Sequence, residues 1–174
     1  MEKRANMLTR VSDVIETITV WINVAIIAVL AVNLVAAVVF RYFLNSPIYW
    51  ADELSLILFA WITFLGGSVG LKRSMMASVT LLEDRLKGTP LFILRLVSQI
   101  SIVFFGAVVG GYSWKWLTSE GVLNQMATTL PVPLWVTFAA LPVSMVLIVL
   151  FGIDNLMKLL QTGGTPPVKE ETAP

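Results

Sequence analysis

Charge in this chain is confined to the gaps between four long apolar runs. No Asp, Glu, Lys or Arg occurs in Thr17–Phe40 (24 residues), Leu54–Leu71 (18), Leu96–Trp114 (19) or Gly121–Ile153 (33). These runs occupy 94 of the 174 residues, and all 23 charged residues fall in the other 80. About 20 apolar residues in a helix cross about 30 Å of hydrocarbon, so runs of this kind read as membrane spans. A soluble fold would have to bury four helices that are apolar all round, with too little chain left to cover them. The expected fold is all-α: a polytopic membrane protein of four transmembrane helices with short amphipathic interfacial helices. The membrane domain is expected over 1–160, with spans at about 17–43, 50–71, 91–117 and 131–158. A flexible tail rich in Gly and Pro follows over 161–174.

The basic residues set an orientation. Lys3, Arg4 and Arg10 precede the first run, Lys72, Arg73, Arg85, Lys87 and Arg95 lie between the second and third, and Lys158 and Lys169 follow the fourth. Arg41 and Lys115 stand alone in the other two connections. That is ten against two, and the positive-inside rule places both termini in the cytoplasm. The first run follows a basic segment but is too long for the apolar core of a cleaved signal peptide, which spans about 7–15 residues, and reads as a retained helix. Its length predicts a tilted helix.

What is missing excludes much chemistry. There is no Cys and no His, so disulfides, thiol redox chemistry, bis-His haem ligation and Ser-His-Asp or Cys nucleophiles are impossible, and the usual zinc and copper ligands are absent. No catalytic, cofactor-binding or metal-binding residues are expected, nor enzyme activity. With a net charge of +1 and basic residues scattered in connections, the chain is no nucleic-acid binder. Its surroundings are membrane lipids.

Along the chain, Met7, Leu8, Val11, Val14 and Ile15 recur at helical spacing and predict an amphipathic lead-in. Asn45-Ser46-Pro47 reads as a helix start, with Ser46 as N-cap and Pro47 at the first helical position. Tyr49 and Trp50 suit an aromatic belt at the interface. Asp52 and Glu53 near the start of the second helix, and Lys72 and Arg73 at its end, complement the helix dipole. Residues 74–87 repeat an amphipathic pattern and read as a short surface helix, broken by Gly88-Thr89-Pro90. Leu130-Pro131-Val132-Pro133 marks the restart into the fourth helix, where Pro142 should cause a kink.

No ionisable residue lies in the middle of a span, whereas ion-coupled carriers place such groups at the midplane, often in repeated halves. The polar span residues Asn23, Asn33, Ser68, Ser98, Gln99, Ser101, Thr137 and Ser144 read as helix–helix hydrogen bonds, with a polar path as the functional alternative. Gly66 and Gly70 in helix 2, and Gly106 and Gly110 in helix 3, mark faces for close packing, inside the chain or toward a partner. Arg41 facing Asp52 and Glu53 across a short turn suggests an ion-paired clasp, with a subunit contact as the alternative.

One string is more specific: Arg41-Tyr42-Phe43 … Pro47-Ile48-Tyr49-Trp50-Ala51-Asp52-Glu53-Leu54. With Trp61-Ile62-Thr63-Phe64-Leu65-Gly66, the Lys72-Arg73 end, and Leu130-Pro131-Val132-Pro133-Leu134-Trp135 … Leu141-Pro142, it resembles the small membrane subunit of tripartite ATP-independent periplasmic (TRAP) transporters over roughly residues 10–160. The chain departs from the family where a His often follows the basic end of helix 2; here Met75-Met76 stand. The resemblance implies a bacterial inner-membrane protein and two partners, a large multi-span transporter subunit and a periplasmic substrate-binding protein. It also implies a sodium gradient as the driving force and an organic acid, of dicarboxylate or sialic-acid type, as substrate. The small subunit would act as a scaffold in this symport. Trp50, Pro131, Trp135 and Pro142 join Arg41, Asp52, Glu53 and the four glycines as candidates for partner contact or helix packing.

Three rivals are weaker. A dual-topology multidrug exporter needs a carboxylate in helix 1 and weak charge bias. A thiol oxidase or cytochrome needs Cys or His. A structural or adaptor subunit of another complex remains the alternative.

Overall fold

The computed structural model describes the backbone of residues 2–74 and 89–161 and the side chains of residues 9–73 and 89–161. The surface helix expected over 74–87 and the tail beyond Gln161 lie outside the described residues. Within them the chain is helical: α1 (Glu2–Tyr42), α2 (Ala51–Ser74), α3 (Thr89–Leu117), α4 (Glu120–Leu123), α5 (Trp135–Phe138) and α6 (Ala140–Gln161). Four stretches are long and apolar enough to cross a membrane: Thr9–Tyr42, Ala51–Arg73, Thr89–Leu117 and Trp135–Gln161.

The boundaries differ from the sequence reading in three places. The amphipathic lead-in is the first turns of α1, a single helix of 41 residues. Nothing between Glu2 and Tyr42 is Gly or Pro, so no residue interrupts the ladder, and the helix runs about 60 Å, twice the hydrocarbon thickness. Ser46 and Pro47 do not start α2. They belong to the turn that closes α1, where Asn45 takes the left-handed conformation (φ 50°), which Asn tolerates better than most residues. The Ser46 amide there reaches back to the Phe40 carbonyl at 3.1 Å. The fourth span begins at Trp135 rather than 131. It is divided at Ala139 into α5 and α6. Pro142 has no N–H to donate to Phe138, so the ladder is interrupted one turn before it.

The packing order is not that of a closed bundle. α1 packs along α2, α2 along α6, and α6 along α3, while α1 and α3 form no packed pair. The helices make a row, α1–α2–α6–α3, bent where α1 also meets α6. The outer members are the least covered: 6% of the α1 span is buried, against 33% for the α5–α6 span.

Burial is inverted relative to a soluble protein. Ser12, Thr19, Asn33, Ser68, Gln99, Ser113, Ser144 and Asp154 are buried. Large side chains such as Trp21, Val32, Val35, Leu56, Phe59 and Phe104 stand outside. Such a distribution suits a lipid solvent, in which apolar surface gains nothing by leaving it and helices associate through small residues and hydrogen bonds.

Glycine sets the closest approach in the row. A Cβ on Gly152 of α6 would lie 2.6 Å from Val103 Cγ2 of α3. One on Gly106 would lie 3.1 Å from Ile148 and Val149, and one on Gly110 would lie 3.1 Å from Met145 Cβ. Gln99 Nε2 donates to the Gly152 carbonyl at 2.7 Å across the same seam. We expect Gly152→Ala to lower stability by about 1–3 kcal/mol, the usual cost of overpacking. Gly111→Ala, whose Cβ meets nothing within 4 Å, should leave it unchanged. Thermal unfolding in detergent reads both, and equal melting of the two variants would contradict the α3–α6 contact.

Candidate functional site

The polar contacts gather at the two ends of the row. At one end the segment between α4 and α5 folds back on itself. The Ala127 amide donates to the Val132 carbonyl and the Leu134 amide to the Gln125 carbonyl, both at 2.9 Å, with an antiparallel bridge between Met126 and Pro133. The tip of this hairpin presents three successive amides to one carboxylate. Glu53 Oε1 accepts from the Thr128 amide at 2.7 Å. Oε2 accepts from the Thr129 amide at 2.7 Å, from the Leu130 amide at 2.9 Å, and from the Thr129 hydroxyl. Charge-assisted bonds of this kind are stronger than neutral ones. Glu53 sits in the first turn of α2, so it ties the hairpin to the start of that helix, 75 or more positions away in the chain.

Asp52 takes a different partner. Arg41 Nη2 meets Asp52 Oδ2 at 3.2 Å, with both side chains more than half exposed. The clasp suggested by the sequence therefore divides: Asp52 pairs with Arg41, and Glu53 turns to the hairpin. Trp50 lies just before α2, partly exposed, and its carbonyl accepts the Leu54 amide at 3.0 Å. Pro131 lies exposed in the hairpin. Trp135 opens α5 and is also exposed, whereas Pro142 is fully buried. Behind the hairpin, Leu117, Val122 and Ala139 form a small apolar core, with Trp61 and Phe138 packed against it. Trp61 Nε1 donates to the Val136 carbonyl at 3.1 Å, which joins α2 to α5.

At the other end, an ionic network joins three helices. Lys72 of α2, its side chain 6% exposed, lies 2.8 Å from Asp13 and 2.9 Å from Glu16 of α1. Arg73 Nε lies 2.6 Å from Glu16. The Lys72 ammonium also stands 5.0 Å from the centre of the Phe151 ring of α6, within range of a cation–π attraction. Asp154 of α6, 3% exposed, accepts from the Thr9 hydroxyl at 2.9 Å and pairs with Lys158 at 2.8 Å.

Between the ends the contacts are neutral. Asn33 Nδ2 of α1 donates to the Ala51 carbonyl and to the Ser55 hydroxyl, each at 2.8 Å. Gly66 lies against Asn23, where an added Cβ would stand 3.3 Å from the Asn23 amide nitrogen, and Gly70 has open space around it. Gly106 and Gly110 face α6. Ser68 and Ser144 bond back to carbonyls of their own helices.

The sequence reading missed the three hairpin amides, the Asp13/Glu16–Lys72/Arg73 network and Gly152. Backbone donors carry no residue-type signal. The other two are recoverable: the acids flank the first run and the bases end the second, at matching depth, and Gly152 is a lone glycine in a run of large residues. Chemically the arrangement joins helices. Among the described residues no cluster of three or more acidic side chains could hold a metal.

Comparison with known proteins agrees in kind. A family model described as the DctQ component of tripartite ATP-independent periplasmic transporters matches residues 30–162. The chain is similar to the sialic acid TRAP transporter small permease protein SiaQ of Vibrio cholerae, 30% identical over 155 residues that make up 86% of this chain and 85% of that protein. It is also similar to a Haemophilus influenzae protein provisionally named a TRAP transporter small permease, 25% identical over 137 residues, 79% of this chain and 84% of that one.

Replacing Glu53 by Gln leaves one acceptor oxygen for three amides and removes the charge. Hydrogen exchange at Thr128, Thr129 and Leu130 should then speed up well above wild type, with the Gln99–Gly152 seam unchanged. Wild-type protection at the hairpin tip in this variant would show that Glu53 does not hold it.

Proposed function

Because this chain belongs to the family of DctQ components of tripartite ATP-independent periplasmic transporters, as a small permease subunit, we propose that it is the membrane scaffold on which a large permease subunit is held. The observation that carries this reading is the distribution of charge: ionic groups toward both ends of the row, none in the middle of a span. A carrier must offer its ion and substrate partners near the midplane. This chain offers them only where they fasten one helix to another, which suits a fixed element beside a moving one.

The partners follow from the family: a large multi-span subunit that carries substrate, and a periplasmic protein that delivers it. A sodium gradient supplies the driving force. The substrate is an organic acid, and the similarity to a sialic acid system favours that type over a simple dicarboxylate. No catalytic step is assigned to this chain. As a multi-pass protein of the inner membrane it has both termini in the cytoplasm, since ten of the twelve basic residues lie on the side of the termini and the connection after α2. The Glu53 hairpin then faces the periplasm.

Two experiments test this. In a Cys-free chain, single cysteines at Thr128 and at Gln161 report sidedness in intact cells. A membrane-impermeant maleimide should label the first and not the second, and the reverse would invert the topology. The second experiment co-expresses the Glu53→Gln variant with the large subunit. The yield of purified complex should fall while uptake per assembled complex is retained. Normal yield with lost uptake would place Glu53 in the transport step and contradict the scaffold reading.

A further inference from the structure

A groove of about 380 Å³ runs between α1 and α2 at the hairpin end of the row, lined by Leu30, Leu34, Asp52, Ser55, Leu56 and Phe59. We propose that it holds one phospholipid with a primary-amine headgroup, phosphatidylethanolamine, its chain between the two helices and its ammonium on Asp52.

The lining residues follow the two helices from Asp52 toward the middle of the spans, the direction in which a lipid chain lies. Asp52 is at its mouth, level with a collar of exposed aromatic side chains, Tyr42, Phe43, Tyr49 and Trp50, of the kind that marks the headgroup layer. Leu56 and Phe59 lie one and two turns deeper on α2. Leu34 and Leu30 lie about two and three turns below Arg41 on α1. The walls are large and apolar, with Leu34, Leu56 and Phe59 about half exposed or more. A partner helix would need small residues here to approach closely; four large apolar side chains stand here instead.

The charges at the mouth select the headgroup. Only Asp52 Oδ2 is engaged, by Arg41 at 3.2 Å, and the pair is exposed enough to accept further partners. An ammonium brings N–H donors to the second carboxylate oxygen, and the phosphate of the same headgroup brings acceptors to the guanidinium. A glycerol headgroup leaves the phosphate charge without an ammonium beside Asp52. A choline headgroup carries the positive charge but no N–H.

Native mass spectrometry of the full chain tests this, alone and with its large subunit, using palmitoyl-oleoyl phosphatidylethanolamine, phosphatidylglycerol and phosphatidylcholine at equal concentration. The ethanolamine adduct should exceed each of the others by about threefold, the scale of one exposed ion pair. Asp52→Asn should remove that preference. Leu34→Trp, which fills the groove, should lower the adduct of all three lipids while the melting temperature holds. Equal adducts of the three lipids in the wild type would overturn the proposal. So would a preference that survives Asp52→Asn, or one that vanishes when the large subunit is bound, which would give the groove to that subunit.

Discussion

The cost of placing a charge in hydrocarbon organises this protein. Asp, Glu, Lys and Arg are expensive at the centre of a bilayer, and every one of them lies outside the four apolar runs. The strong interactions are therefore available only in two layers, one on each face of the membrane. In one layer Lys72 and Arg73 meet Asp13 and Glu16. In the other Glu53 gathers the hairpin amides. Between them about 30 Å of helix is held by close approach and neutral hydrogen bonds, which in membranes contribute about 0.6–2 kcal/mol each.

That division explains the shape. α2 carries a polar fastening at each end, the Glu53 hairpin and the Lys72 network, and so lies inside the row. α6 is held to α3 through Gly106, Gly110 and Gly152, and to α1 through Asp154. α1 and α3 do not pack along each other and stay at the edges, each with a broad apolar face. An open row of this kind, fixed at both faces of the membrane and rich in uncovered surface, suits a part that supports another protein better than one that opens and closes around a substrate.

Much of this was legible in the sequence. Four spans follow from charge-free runs, because the same desolvation cost that shapes the fold also writes the pattern. Asn33 and Gln99 read as helix–helix hydrogen bonds and are found so. What the sequence could not supply was the choice among possible partners and the backbone donors that settle it. Arg41 faces two adjacent acids, and only the hairpin decides which one it keeps. The spacing rule for Gly66 and Gly70 names a face without saying whether anything covers it; Gly66 meets Asn23, and Gly70 meets nothing. Ser46-Pro47 has the chemistry of a helix start, but the closing turn of α1 takes it. The string around Trp50–Glu53 and the match over residues 30–162 point to the same family, and that string includes the carboxylate that anchors the hairpin.

We propose that this chain supports transport without carrying anything itself. Uptake into liposomes under a sodium gradient tests it most directly. Three preparations are compared in the presence of the periplasmic binding protein: this chain alone, the large subunit alone, and the two together. No flux is expected with this chain alone, and full uptake only with both. Sodium-dependent flux through this chain alone would contradict it.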